Sequence, residues 1–177
     1  FTPPPVEQLT DDERKRLRAV LGSVIDSWRG TSAIGMRLGR VQQRNDSTAT
    51  ASGAEDVCFR SSGVPVELSL APAAAVSLLC VNLGSEMPDD PNTRLSAIDL
   101  ALIETWAGPA VSELVDSLGV GPSGEIVRAS GPPTSFEGTT VSAELTFGAN
   151  MRAGEIVLAD EVVRPSGEAP ATTLGDR

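Results

Sequence analysis

The sequence predicts an α+β fold: two similar halves related by a pseudo-two-fold axis, forming a mostly antiparallel sheet with two long helices packed on one face. Three observations lead there. Residues 95–118, LSAIDLALIETWAGPAVSELVDSL, are the longest apolar-rich run and read as a long helix. Residues 9–28, LTDDERKRLRAVLGSVIDSW, open in the same way, Leu-Thr-x-x-Glu standing where Leu-Ser-x-x-Asp stands later. The segments downstream of the two helices are also alike. EDVCFR, a Ser-Ser-Gly turn, VPVELSL and Ala71-Pro72 come after the first; VSAELTF, a GANMRAG turn, EIVL and Ala159-Asp160 come after the second. Each half is therefore helix, variable loop, hairpin and short helical piece, an internal duplication.

Residues 1–8 contain Pro3-Pro4-Pro5 and read as an extended tail. The first helix begins with Thr10 and Glu13, which have the spacing of a capping box, and ends near Gly30. Its stripe is Leu17, Val20, Leu21, Val24, Ile25 and Trp28. Alternation over 34–41, IGMRLGRV, predicts a half-buried strand, and 42–54 a flexible loop. Residues 57–70 form the first hairpin. Pro72 then opens a helix that Gly84 ends. A polar loop leads to the long helix, with Ser96 as N-cap and Asp99 three positions on. Ile98, Leu102, Ile103, Trp106, Ala110 and Leu114 recur at helical spacing, and Leu100, Ala107, Val111 and Leu118 widen the stripe, so this helix is buried on more than one side. Gly108-Pro109 predicts a kink or a split, because Pro109 cannot donate to Thr105. Residues 126–129 read as a short strand, Gly131-Pro132-Pro133 as a turn or edge, and 139–147 with 155–158 as the second hairpin. The expected domain is 9–164, with halves 9–83 and 95–163, and 165–177 reads as disordered linker.

The formal charge is −10, from 24 acidic and 14 basic residues. The densest basic group, Arg14, Lys15, Arg16 and Arg18, comes after Asp11, Asp12 and Glu13, which suits a helix surface better than a phosphate-binding patch. Nucleic acid is thus not an expected partner. The chain has no histidine, no tyrosine and only two cysteines, Cys58 and Cys80. Triads built on histidine are excluded, and no zinc ligand set exists. The cysteines read as small core residues of a reduced, cytosolic protein. No run is long enough to span a membrane. Gly119-x-Gly121-x-x-Gly124 matches a dinucleotide-binding string in the wrong context, after a helix and before a strand, where a helix C-cap at Gly119 explains it better. Asp11-Asp12 and Asp89-Asp90 read as capping and solvated acids, and Trp28 and Trp106 as core. No cofactor is expected.

The order of elements resembles the CheC-like fold, and in particular the middle domain of the flagellar motor switch protein family, FliM, with its relatives in the type III secretion cytosolic ring. The stretch that carries most of the resemblance is 70–118: a short helix over 72–83, a glycine-bearing loop over 84–94, and a long helix opening Leu95-Ser96-Ala97-Ile98-Asp99. The resemblance implies a non-catalytic scaffold and protein-interaction domain of the flagellar switch complex, the C-ring, transmitting torque or a rotation signal. It implies a FliG-like switch protein and neighbouring copies as partners, with phosphorylated CheY and a FliN-like protein further in the assembly. It also implies a cytoplasmic place, peripheral to the inner membrane at the flagellar basal body. A type III secretion ring component and a CheC-like response-regulator phosphatase are the alternatives. The phosphatase pattern, an acidic or Ser residue, Glu four later and Asn three beyond that, fails on the long helix: counted from Ser96, those places hold Leu100 and Ile103, and counted from Leu100 to the acid Glu104, the Asn place is Ala107.

The family's motor-side loop carries Gly-Gly-x-Gly, where this chain has only Gly84 and then Ser85-Glu86. The expected partner-binding residues are accordingly Leu83, Gly84, Ser85, Glu86, Met87 and Pro88, a polar loop holding an adaptable apolar Met87.

Overall fold

The computed structural model describes residues 9–28, 35–44, 56–86, 95–122, 124–130 and 140–163. The elements in order are α1 (Asp11–Ser27), β1 (Arg37–Arg44), β2 (Val57–Ser61), β3 (Val66–Leu70), α2 (Pro72–Leu83), α3 (Ala97–Leu118), β4 (Ile126–Ser130), β5 (Thr140–Phe147), β6 (Met151–Ala159) and α4 (Asp160–Val163). The strands form one six-stranded sheet in the order β1-β5-β6-β3-β2-β4. Every pairing is antiparallel.

The duplication is written into that order. Exchanging β1, β2 and β3 for β4, β5 and β6 reverses the order and reproduces it, so the pseudo-two-fold axis passes between β3 and β6. At the axis Leu68 pairs with Ile156, with Val66 opposite Leu158 and Leu70 opposite Gly154 on either side. Two halves thus share one sheet. Alternation along the strands sends Phe59, Leu68, Leu145, Ile156 and Leu158 to one face, where all are buried. On that face the sheet side chains Leu68, Leu145 and Ile156 meet Val24, Ile25 and Trp28 of α1 and Ala110, Val111 and Leu114 of α3. The two long helices lie together over it, in contact with each other and with the sheet.

Both long helices start for the expected reason. Thr10 Oγ1 accepts from the Glu13 N–H at 3.1 Å while the Glu13 carboxylate accepts from the Thr10 N–H at 2.9 Å. Ser96 and Asp99 repeat the exchange at 3.1 and 2.9 Å, so Asp serves as fully as Glu. Near the far ends, the Ser27 hydroxyl donates to the Glu113 carboxylate and ties α1 to α3.

Four expectations are corrected. Helix α3 is not split at Gly108-Pro109: it is continuous over 22 residues. Pro109 is exposed while Ala107, Gly108 and Ala110 are buried, so the proline ring stands in solvent and packing holds the inner side. Helix α1 ends at Trp28, two residues before Gly30, which lies outside the described residues. Strand β1 is Arg37–Arg44, shifted toward the C-terminus from 34–41, because Val41 to Arg44 pair with Ala143 to Thr140. The second hairpin turn is shorter than GANMRAG, since β6 already begins at Met151. Asn150 takes a positive φ of 65° at that turn. Irregular pairing near Leu145 and Thr146 absorbs the extra residue, and Gly154, at φ 150°, lies so close to β3 that a Cβ there would collide with the Ser69 carbonyl. The tail 1–8, the 131–133 turn, the 42–54 loop beyond Arg44 up to Ala54 and the linker 165–177 lie outside the described residues.

Candidate partner surface

The connection after α2 is held from within. Ala74, Ala75, Leu78 and Leu79 on one side of α2 are buried. Gly84 ends the helix in the left-handed region, φ 70°, which lets its N–H bond to Val81 O at 3.3 Å and the Ser85 N–H to Cys80 O at 2.8 Å. These two bonds are a Schellman arrangement, in which glycine carries the positive φ without strain. The Asn82 side chain adds a bond to Leu78 O at 2.7 Å. The outcome is a rigid platform with its end in solvent.

Of the expected partner-binding residues, Leu83, Gly84, Ser85 and Glu86 are exposed, and Met87 and Pro88 lie outside the described residues. Three large apolar side chains stand in solvent on the flanks of this connection: Val81 at 45%, Leu83 at 53% and Ile98, in the first turn of α3, at 73% exposure. Sequence reasoning singled out Met87 and did not name Val81. It placed Ile98 in the buried stripe of α3, which is corrected here, because Ile98 lies in the first turn of α3 and stands in solvent. The signal for Ile98 was available in the duplication: counted from the N-caps Thr10 and Ser96, the equivalent place in α1 holds the acid Asp12. The described residues of this surface offer apolar side chains, backbone, the Ser85 hydroxyl and the acid Glu86. Its chemistry is recognition.

The reverse face of the sheet holds charged side chains that sequence reasoning did not anticipate. Asp56, Glu67 and Glu155 are buried there. Asp56 accepts two bonds from Arg152, at 3.3 and 2.7 Å, and one from the Ser69 hydroxyl at 2.8 Å. Glu67 accepts from Arg60 at 3.3 Å, and Glu155 from the Ser142 hydroxyl at 2.7 Å. Burial, reinforced by the charges of Glu67 and Asp56 and by a hydrogen bond to Glu67, pushes the Cys58 thiol up to about 12. Burial works against the Arg152 guanidinium, but the bond and charge of Asp56 more than offset it and hold Arg152 protonated. These bonds answer the buried carboxylates, and the Arg152–Asp56 pair joins the two halves. The network keeps Cys58 a neutral thiol. Neither cysteine is in a disulfide and both are buried, as expected of core residues. Beside the network an open cleft of about 480 Å³ is lined by Arg37, Leu38, Gly39, Glu144, Thr146, Asn150 and Arg152, where Glu144 answers the arginine charge.

The positions that a phosphatase would need are filled by packing residues. Ile103 is fully buried and Leu100 partly so. Glu104 faces Arg128 of β4 at 3.5 Å. Neither α1 nor α3 contains an asparagine. Among the described residues no group of three or more Cys, Asp or Glu is placed to hold a metal ion. Among them, too, no helix is long and apolar enough to cross a membrane. Gly119 caps α3 with φ 68° and β4 comes next, so the glycine string sits at a helix end.

A capped long helix, an edge strand, a hairpin and a short helix, twice over around one sheet, make a fold like that of the FliM middle domain. Comparison with solved structures shows this directly. A chain of the FliG–FliM complex from H. pylori is 14% identical with a TM-score of 0.61, over 88% of this chain and 98% of that one. The FliM middle domain from H. pylori is 12% identical with a TM-score of 0.60, over 89% and 97%. Thermotoga maritima FliY is 15% identical with a TM-score of 0.60, over 90% and 96%. At these identities the likeness is one of fold. No protein-family profile and no curated protein matches the sequence.

Proposed function

We propose that this chain is a non-catalytic scaffold and protein-interaction domain of a flagellar motor switch complex, on the cytoplasmic side of the inner membrane at the basal body. It passes torque or a rotation signal between a FliG-like protein and neighbouring copies of itself, with phosphorylated CheY and a FliN-like protein as further members of the assembly. The contact to the FliG-like protein is made by 83–88, with Val81 and Ile98 beside it.

The observation that carries the reading is the exposed apolar rim on the capped end of α2, in a fold shared with a chain of a FliG–FliM complex. Apolar side chains on a rigid platform supply affinity at little entropic cost. Packing residues at the phosphatase positions support the non-catalytic reading. The test is a pull-down with the purified FliG-like protein of the same organism. The wild-type chain binds. Leu83→Asp and Met87→Ala each weaken binding by roughly 1–2 kcal/mol. Leu83→Asp leaves the melting temperature nearly unchanged, because Leu83 is half in solvent already. Unaltered binding by both variants removes the site, and a wild-type chain that does not bind removes the partner.

A further inference from the structure

The pseudo-two-fold axis relates two corners of the sheet, and they differ. In the first, β2 pairs with β4 and with β3 in unbroken register. The β2–β3 turn is closed onto the chain before β4: the Ser62 N–H donates to Glu125 O at 2.9 Å and the Glu125 N–H to Ser62 Oγ at 2.8 Å. The second corner, built from β1, β5 and β6, is irregular at three places. Gly39 and Arg40 together stand opposite Glu144, a bulge in β1 that Arg18 of α1 braces by donating to Gly39 O at 2.7 Å. Leu145 and Thr146 pair with Gly154 and Arg152, passing over Ala153. Asn150 takes its positive φ in the turn. All three irregularities border the open cleft of about 480 Å³ on the reverse face. Here the turn is reached from β1 by a side chain: Arg37 Nη2 donates to Gly148 O at 2.9 Å and to Asn150 Oδ1 at 3.2 Å.

The charges differ as well. In the first half Arg60 lies opposite the buried Glu67 and pairs with it at 3.3 Å. At the matching place in the second half Glu144 lies opposite the buried Glu155, so two carboxylates face each other across the ladder, an arrangement that opposes folding. Glu144 offsets the arginine charge across the cleft but forms an ion pair with no cation among the described residues. Arg37 bonds only to neutral oxygens, and Arg152 is taken by Asp56. Arg37 lies opposite Thr146, two residues from Glu144 on β5, so the two unpaired charges are diagonal neighbours, a spacing of about 7–8 Å between Cα atoms. A Cβ at Gly39 would press on the Glu144 carboxylate, 3.1 Å away, so glycine leaves that carboxylate its place. A cation alone would meet two arginines in this cleft, and an anion alone would meet Glu144. We propose that the cleft binds a small zwitterion of the α-amino acid class, its ammonium on Glu144 and its carboxylate on Arg37, with the Asn150 amide and the Thr146 hydroxyl as neutral partners. The ammonium would stand where the first half has Arg60. The inference does not rest on the switch reading.

The experiment is a thermal-shift screen of the purified chain, with no switch partner present, against the common α-amino acids one at a time at about 10 mM, followed by calorimetric titration of those that shift it. The expected result is that at least one raises the melting temperature by about 3 °C or more and binds with a Kd below about 1 mM. Its N-acetyl derivative lacks the ammonium and its amide lacks the carboxylate, and each binds about tenfold more weakly or worse. Glu144→Gln and Arg37→Gln each weaken binding by about tenfold or more. Glu144→Gln removes the carboxylate that faces Glu155, so without ligand it melts no lower than wild type, and its loss of binding is not a loss of fold. Should Arg37→Gln fail to fold, Glu144→Gln decides alone. A screen in which no amino acid shifts the melting temperature overturns the proposal. Equal binding of the N-acetyl derivative or of the amide overturns it also, by making the cleft a site for a single charge, as does binding that the variants keep.

Discussion

Cys58 and Ser142 hold matching places in the two hairpins. Cys58 lies opposite Ser69 on β3, two residues from Glu67; Ser142 lies opposite Val157 on β6, two residues from Glu155. Each donates to the buried glutamate diagonal to it, the thiol to Glu67 and the hydroxyl to Glu155. The second half therefore shows what a serine does in the first. With an ordinary value of 9.0 and a folded value of about 12, the thiol is neutral in both states below pH 9, and its contribution to stability is then fully present. Above pH 9 the unfolded chain ionises and the folded chain does not, so stability is lost progressively until about pH 12. The chain is suited to the measurement, having no tyrosine or histidine and a single lysine, Lys15. Denaturant unfolding from pH 8 to 12 is expected to show the wild-type midpoint falling over this window and Cys58→Ser falling less. At pH 7 the variant should lie within about 1 kcal/mol of wild type, because the hydroxyl replaces the thiol as donor. Parallel curves for the two proteins would mean that Cys58 does not carry the slope.

At the scale of elements, local signals were the legible ones. Thr10 with Glu13, Ser96 with Asp99, Pro72 and Gly84 marked helix ends that depend only on neighbouring residues, and the structure keeps them. Strand bounds depend on a partner. The reach of β1 to Arg44 is set by β5, and the start of β6 at Met151 by the irregular pairing opposite Thr146; neither is written in the strand itself. The buried acids of the reverse face were hidden for the same reason. VELSL and GEIVL each carry a glutamate that the structure buries; Arg60 and Ser142 answer Glu67 and Glu155 from the partner strand of the same hairpin, and the sheet assembled from both halves brings Arg152 to Asp56. Pro109 was read as a kink or a split because its missing N–H is a local fact, while the packing of Ala107, Ala110 and Val111 that keeps α3 continuous is not. That packing works against the proline, so Pro109→Ala is expected to stabilise the protein by about 1–3 kcal/mol, restoring a donor to Thr105 on the solvent side of the helix. A thermal melt checks it. A variant less stable than wild type would mean that α3 is bent to fit and that the proline sets the bend.

For the whole molecule, the duplication was the most informative thing in the sequence, and it bears on stability as much as on ancestry. The axis runs through the β3–β6 pairing, where Leu68 meets Ile156, so each half supplies the neighbour its own inner strand lacks. Arg152 of the second half holds Asp56 of the first, and α1 packs on α3 across the same line. The candidate site was legible for a different reason. Residues 83–86 could be placed at a helix end by Gly84 alone, whereas the exposure of Val81 and Ile98 depends on which side of α2 and α3 the core takes. Separated, each half would expose a full strand edge at β3 or β6 and the apolar face under its long helix, and one would bury Asp56 without its arginine or leave it in water. A polypeptide of residues 95–163 alone is therefore expected to show no cooperative unfolding transition in denaturant and no dispersed amide spectrum, while the same polypeptide mixed with residues 9–86 regains both. The reconstitution should require the β3–β6 contact: Leu68→Asp in the first fragment puts a carboxylate on the axis opposite Ile156 and should abolish recovery. A sigmoidal transition from the isolated second half would show that the halves are separate folding units, and would remove the shared sheet as the source of the molecule's stability.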